Sequence, residues 1–360
     1  MDRSIRKIIH IFGQTPHHYL PMKHFFVGLN VEEILQEFWA WSVSGEAAPQ
    51  GFTQYMNANE LLHLMKKNAD VGSIFVFHGM FDRHLWPRLA FSGLPKQCLW
   101  VCWGADLYEH IAESKTIKRR VAHFFHRNLV KRFRHVIALN EGDSELISKH
   151  LAKRKVDVVP YPLIASDNTS LQKKNDTKLN ILVGNSGASS NNHIEALEWL
   201  SKFKDENILV SVLLNYGGSS DYVNNVVQHG NTLLGEKFKP IVEMMGKDEY
   251  DSFLAGIDVA VFAHLRQQGL YVVYSMLKHG RKMYVRGATS TFSELEHKGF
   301  YVFPSECIKK QTFADFCAQT PEQRQNNQTL MTMVYSESAL RPKWETLIKD
   351  SVNKLNEDAH

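Results

Sequence analysis

Short apolar runs rich in β-branched and aromatic residues alternate along this chain with longer segments in which apolar positions recur three and four apart. The runs are KIIHIFG at 7–13, SIFVFHG at 73–79, QCLWVCWG at 97–104, HVIALN at 135–140 and VDVVPYP at 156–162. Strand-length runs separated by helix-length amphipathic stretches predict parallel strands joined by crossover helices. The alternation stops at ASDNTSLQKKNDTK, residues 165–178, a polar stretch almost free of large apolar groups. It restarts with LNILVGN (179–185), NILVSVLLNYG (207–217), IDVAVFAH (257–264), KMYVRG (282–287) and FYVFP (300–304). The pattern predicts an α/β chain of two doubly wound halves, 1–164 and 179–312, with 165–178 as the linker. The polar, helix-prone segment 313–360 is expected to form helices packing across both halves.

A length of 360 residues agrees with two domains of ordinary size. A formal charge of +4 is too mild to mark a nucleic-acid binder by bulk electrostatics. The four cysteines show neither the spacing of a disulfide framework nor that of a zinc site, and are expected to be reduced thiols in a cytoplasmic protein. No signal-peptide layout and no apolar run of about 18 residues occurs, so a soluble chain or one lying on a membrane surface is expected.

In an open α/β sheet, ligands bind beyond the carboxyl ends of the strands. The stretch ILVGNSGASSNNHIEAL, 181–197, runs from a strand through such a loop into a helix. Gly184 lets the backbone approach a ligand, Asn185, Ser186 and Asn191 offer hydrogen bonds, and the helix N–H groups favour an anion. AHLRQQGLYVVYSMLKHG, 263–280, repeats the arrangement, with Arg266, Gln267, Gln268 and Gly269 suited to clamping a diphosphate. Two anion sites in one half suggest a nucleotide. The plain alternatives are ordinary loop chemistry at 184–191 and a surface ion pair at Arg266.

The first half carries different groups at its strand ends: His17 and His18 in QTPHHY, His78 in FHGMFDRHLW, and Asp106 and Glu109 in CWGADLYEH. Such groups suit general-base work or hydrogen bonding to a polyhydroxylated substrate, although any one of them can equally be a satisfied structural residue. HExxH, a phosphate-binding GKS or GKT and Asp-x-Asp are all missing, so neither a metal nor a cofactor is expected and Arg266 with helix ends would balance phosphate charge.

Residues 114–140 contain eight lysines and arginines and no acid. Ile117, Val121, Phe125, Leu129 and Phe133 recur there at helical spacing, so 115–134 reads as a basic amphipathic helix able to lie on an anionic membrane surface. A core-facing stripe with a solvated basic face is the bland reading, and both hold if the stripe packs inward while the charges face lipid. No exposed aromatic platform or recognised module is expected beside the charge, which argues against RNA or other nucleic acid as a partner.

IIHIFGQTPHHY, FFVGLN, HGMFDRHLW, WGADLYE, ILVGNSGASSNNHIEAL and RQQG, in this order, resemble the TDP-N-acetylfucosamine:lipid II N-acetylfucosaminyltransferases of glycosyltransferase family 56. The resemblance runs from about residue 7 to at least residue 280, and departs from the family at 40–70, after RQQG and in the C-terminal tail. It implies the GT-B architecture, two Rossmann-like domains facing a cleft. It also implies transfer of a 4-acetamido-4,6-dideoxyhexose from a dTDP-sugar donor to a polyprenyl-diphosphate-linked glycan acceptor. The place would be the cytoplasmic face of the bacterial inner membrane, in enterobacterial common antigen assembly. On that reading Gly184, Asn185, Ser186 and Asn191 line the nucleotide, Arg266, Gln267, Gln268 and Gly269 stabilise the departing diphosphate, and Asp106, Glu109, His78 or His18 handles the acceptor hydroxyl, with Asp106 favoured. Whether the anomeric configuration is inverted or retained stays open. Alternatives are another glycan or protein acceptor, a nucleotide-sugar epimerase of the same fold, and a non-catalytic assembly protein.

Overall fold

The computed structural model describes residues 6–42, 49–69, 73–111, 116–164 and 178–357, with the His17 side chain and those beyond residue 353 outside the described set. Nearly all of the predicted linker, 165–177, therefore lies outside the described residues, as does Lys115. The chain divides into two compact units, 1–161 with 337–360, and 162–336.

The first unit contains β1 (Arg6–Phe12), α1 (Pro16–Val27), β2 (Ile34–Trp41), β3 (Thr53–Tyr55), α2 (Ala58–Lys67), β4 (Ser73–His78), α3 (Leu85–Ala90), β5 (Cys98–Val101), α4 (Ala105–Ile111), α5 (Ile117–Arg132), β6 (His135–Ala138), α6 (Glu141–Leu151) and β7 (Asp157–Val158). The second contains β8 (Leu179–Val183), α7 (His193–Leu200), β9 (Ile208–Leu213), α8 (Ser220–Leu234), β10 (Phe238–Ile241), α9 (Lys247–Ala255), β11 (Val259–Phe262), α10 (Leu270–Lys278), β12 (Lys282–Val285), α11 (Ser290–His297), β13 (Phe303–Pro304), α12 (Phe313–Cys317) and α13 (Pro321–Tyr335). The last helix, α14 (Glu337–Glu357), returns to the first unit, so segment 313–360 divides between the two.

Both sheets are parallel throughout, in the order β3-β2-β1-β4-β5-β6-β7 and β10-β9-β8-β11-β12-β13. Helices cover both faces of such sheets, which is why central strands read as unbroken apolar runs. Every residue of β4, SIFVFH, is buried. Each fully buried Val, Ile or Phe side chain there contributes about 1.5–3 kcal/mol. Strand order reverses between β1 and β4 and again between β8 and β11, and such switch points open a crevice at the carboxyl edge.

Helix ends follow local chemistry. Asn57 caps α2 through the Asn59 and Glu60 amides, Thr116 caps α5 through Arg119, and Thr312 with Asp315 forms a reciprocal capping box on α12. In α5 the expected inward stripe holds only over the C-terminal half: Leu129 and Phe133 are buried, whereas Ile117 and Val121 face solvent. Ala122, Phe125, His126 and Leu129 face α3 and the core, and residues four apart drift by about 40° at each step, so Ile117 and Val121 at the start of the stripe turn away from that face.

In the first unit, α14 is fastened by Trp344. Its ring stacks on Tyr161 at 5.3 Å and its Nε1 donates to the Pro160 carbonyl at 3.0 Å.

Candidate functional site

At the second switch point β8 ends in Gly184, whose φ of +69° is left-handed. A Cβ there would lie 2.4 Å from His193 Nε2 and 3.0 Å from Asn191 Oδ1, so only glycine fits. Asn191 is buried and folds the loop on itself. Its Oδ1 accepts from the Asn185 amide at 2.8 Å, and its Nδ2 donates to Ser186 Oγ at 3.1 Å and to the Ala188 carbonyl at 3.0 Å. The loop after β11 packs directly on this one. Leu265 N donates to the Ser190 carbonyl at 2.8 Å, Ser190 Oγ donates to Gln268 Oε1 at 2.8 Å, and a Cβ on Gly269 (φ +68°) would meet Asn185 side-chain atoms at 2.8–2.9 Å. All eight sequence-derived donor residues thus fall in two touching loops. Gly184, Asn185 and Ser186 join Gln267, Gln268, Gly269 and the half-exposed Arg266, while Asn191 acts as the brace beneath.

Several polar atoms of this cluster are buried and have no hydrogen-bond partner: Asn185 Oδ1, Gln267 Oε1, Gln268 Nε2 and, at the end of β9, Asn215 Oδ1. His193 Nε2 and His264 Nε2 also lack a hydrogen bond of normal geometry, although backbone groups of Leu213 and Ser186 approach the first and of Gln268 the second. Each such group costs about 1–3 kcal/mol if left unpaired, so their concentration at one strand edge marks a candidate site for a polar ligand. Helix α10 begins here with Gly269 as a cap that supplies no side chain, which leaves its first amides and the positive end of its dipole to an anion. Burial keeps His193 (pushed down to about 4) and His264 neutral at pH 7. Positive charge at the cluster therefore comes from Arg266 and the helix end. Tyr216, which sequence reasoning passed over, accepts from Asn185 Nδ2 at 3.1 Å and extends the row toward β9 and β10.

At the first switch point, a cavity of about 420 Å³ opens at the ends of β1 and β4, walled by Gln14, Trp41, Tyr55, Phe81, Asp82 and Arg83 among others. Asp82 is half-buried and accepts from the His84 amide at 2.9 Å through one oxygen.

The sequence-derived acceptor residues sit elsewhere. His78 is wholly buried in a chain of donors: Trp103 Nε1 to Tyr161 Oη (3.2 Å), Tyr161 Oη to His78 Nδ1 (2.6 Å), His78 Nε2 to His10 Nδ1 (2.9 Å), and His10 Nε2 to Gln36 Oε1 (3.1 Å). Every partner is satisfied with both rings neutral, which makes the chain a structural strut.

Asp106 is likewise buried at the start of α4. One oxygen accepts from Met80 N (3.0 Å) and Trp100 Nε1 (2.7 Å), the other from Trp103 N (3.1 Å) and, at 3.6 Å, the Cys102 thiol. Burial raises its pKa and these hydrogen bonds oppose the rise. With its lone pairs occupied, Asp106 ties the loops after β4 and β5 together and has no free edge for a substrate. Glu109 is held by Arg83, Arg119 and His123, and His18 meets Trp103 edge-on at 4.9 Å.

A pH dependence follows from the buried histidines. Burial lowers His10 and His110 to about 3, and His78 and His126 also fall well below their usual range. The unfolded chain protonates these rings near pH 6.5 while the folded one does not, so the unfolded state binds more protons between about pH 6.5 and 3. Stability should fall as pH drops through that window. A urea midpoint at pH 5 equal to that at pH 7.5 would contradict this.

Among the described residues no three His, Cys, Asp or Glu side chains come together as a metal-binding group. Solved structures similar over nearly the whole length include Anabaena HepE in complex with UDP and glucose (11% identity, 96% of this chain and 100% of that one, TM-score 0.68). A glycosyltransferase from Rickettsia africae (11%, 96% and 98%, TM-score 0.68) and WaaG, a glycosyltransferase involved in lipopolysaccharide biosynthesis (12%, 95% and 99%, TM-score 0.65), are similar as well. At these identities they show the fold, which is GT-B. A family model described as 4-alpha-L-fucosyltransferase, glycosyl transferase group 56, matches residues 5–345. Two parallel α/β units of this architecture and a family match across almost the entire chain lead to one conclusion: the protein belongs to glycosyltransferase group 56, the 4-alpha-L-fucosyltransferase family, and is a hexosyltransferase.

Proposed function

We propose that the protein transfers a 4-acetamido-4,6-dideoxyhexose from a dTDP-sugar to a polyprenyl-diphosphate-linked glycan at the cytoplasmic face of a bacterial inner membrane, in surface polysaccharide assembly of the enterobacterial common antigen type. The observation that carries the donor reading is the cluster of unpaired buried polar atoms beside Gly184, Gly269 and the start of α10. HepE, of the same fold, holds UDP, which supports a nucleotide here. The diphosphate accepts from the α10 amides and from Arg266, and Gln267 and Gln268 share the charge that grows on the leaving group. No metal is needed on this reading, since guanidinium and amide donors neutralise the phosphates.

The acceptor sugar lies in the cavity of the first unit, stacked against Trp41 or Tyr55. Asp82 receives or orients its hydroxyl proton. That assignment replaces Asp106 and His78, whose hydrogen-bonding capacity is already used. Asp82 binds the hydroxyl whether the anomeric configuration is inverted or retained.

A thermal-shift panel of nucleoside diphosphates tests the proposal. A ligand at a hundred times its Kd adds about 2.7 kcal/mol, so dTDP should raise Tm clearly, with and without EDTA. Silence from every diphosphate would end the donor reading, and a shift abolished by EDTA would end the metal-free one. Asp82→Asn should cut transfer roughly 100-fold while leaving the dTDP shift intact. Equal loss of both would place Asp82 in a structural role.

A further inference from the structure

Helix α5 presents large apolar side chains to solvent in its first turns: Ile117 is 80% exposed, Val121 50% and Phe124 64%. Spaced four and three apart, they share one face of the helix. Phe91, just beyond α3, is 81% exposed and its ring lies 5.6 Å from that of Phe125, which is 5.7 Å from Phe124. Four large apolar groups from two elements thus form one patch, and patches of this kind mark interaction surfaces.

Charge says what the partner is. At 100° per residue, Arg120, Arg127 and Lys131 flank the apolar strip on one side and Lys118 and Arg132 on the other, all of them exposed. No acid occurs between 114 and 140. Glu109, the carboxylate nearest this helix in the ion pairs, engages Arg119 and His123, which are drawn away from the exposed strip. Apolar side chains ringed by basic ones match the boundary between acyl chains and anionic headgroups.

We propose that this face docks the enzyme on an anionic phospholipid bilayer, with Phe91, Ile117, Val121 and Phe124 entering the acyl boundary and Arg120, Arg127 and Lys131 lying among the headgroup phosphates. This goes beyond a basic helix whose charges alone meet lipid: here the outward apolar groups insert, and α3 supplies one of them. The inference rests on the membrane placement proposed above and is independent of the donor site.

Vesicle flotation tests it at physiological salt, with phosphatidylcholine alone or mixed with phosphatidylglycerol. The wild type should float with the mixed vesicles and stay behind with phosphatidylcholine. Phe91→Ser, Ile117→Ser and Phe124→Ser combined should reduce partitioning at least tenfold. Arg120→Ser, Arg127→Ser and Lys131→Ser combined should reduce it on the order of a hundredfold, because each basic group near the surface is worth about fivefold. These side chains are exposed, so both variants should keep the wild-type Tm and its dTDP shift. Failure of the wild type to float, equal floating with neutral vesicles, or an apolar variant that binds unchanged would each overturn the proposal; the last would indicate an acidic macromolecule. A wild type that floats but ignores dTDP would overturn the donor reading and leave this one standing.

Discussion

Gly269→Ala should lower affinity for dTDP, and transfer with it, on the order of a hundredfold. The residue sits at φ +68°, where a Cβ costs about 1–2 kcal/mol. The added methyl would also lie 2.8–2.9 Å from Asn185 side-chain atoms, forcing apart the two loops whose contact shapes the cluster. A displacement of the α10 amides by even a fraction of an ångström weakens every hydrogen bond they make to a phosphate. Gly235 supplies the control. It has φ +54°, with nothing within 4 Å of an added Cβ, so Gly235→Ala carries backbone strain without crowding. Calorimetric titration of both variants should find dTDP binding nearly intact in Gly235→Ala and close to lost in Gly269→Ala. Equal behaviour would mean that loop contact does not govern binding.

The largest effect on stability should come from Asp106→Ala. Removing this carboxylate strands Trp100 Nε1 and the amides of Met80 and Trp103 in a site closed to water. At about 1–3 kcal/mol each, the sum is comparable to the whole stability of an ordinary domain, about 5–15 kcal/mol. The variant should be recovered largely unfolded. Asp106→Asn keeps the shape and most of the acceptors, and separates positioning from proton transfer. It should fold with a lowered Tm and retain transfer within about tenfold of wild type, whereas loss of a general base costs about 10²–10⁴. A well-folded Asn variant with transfer reduced more than a hundredfold would restore Asp106 as the base.

The two loops of the proposed donor site were legible in the sequence because the pattern that marks them is local. A strand, a glycine and small polar residues, then a helix, occur in one stretch at 181–197 and again at 259–270, and the topology places both at the same switch point. The ten strands read from apolar runs all exist, and the doubly wound parallel sheets follow from their alternation with helices. Of the three missed strands, β2, β3 and β10, two have a clear physical reason. In β2, ILQEFWAW carries Gln and Glu within the strand; β10, FKPI, carries a proline that only an edge strand tolerates, and β10 is an edge.

The cavity proposed for the acceptor was less legible because it is assembled across the sheet. Trp41 and Tyr55 are neighbours only through the β2–β3 register, and both line the space beside Asp82. His78 and Asp106 were correctly placed near strand ends, but a position along the chain does not reveal which way a side chain turns. His78 turns to His10, 68 residues away, and Asp106 turns to an indole and two amides. In α5 the periodicity identified the helix, while which of its apolar residues face outward depends on the side of the helix that α3 and the core cover.

The central claim is that backbone amides and a guanidinium, at the ends of β8 and β11, hold the donor diphosphate. A crystal structure with dTDP tests it most directly. The pyrophosphate should lie within hydrogen-bond distance of the Gly269 and Leu270 amides and of Arg266, with the now unpaired Asn185, Gln267 and Gln268 atoms engaged. Nucleotide bound elsewhere, or phosphates held through a magnesium ion on carboxylates, would contradict it.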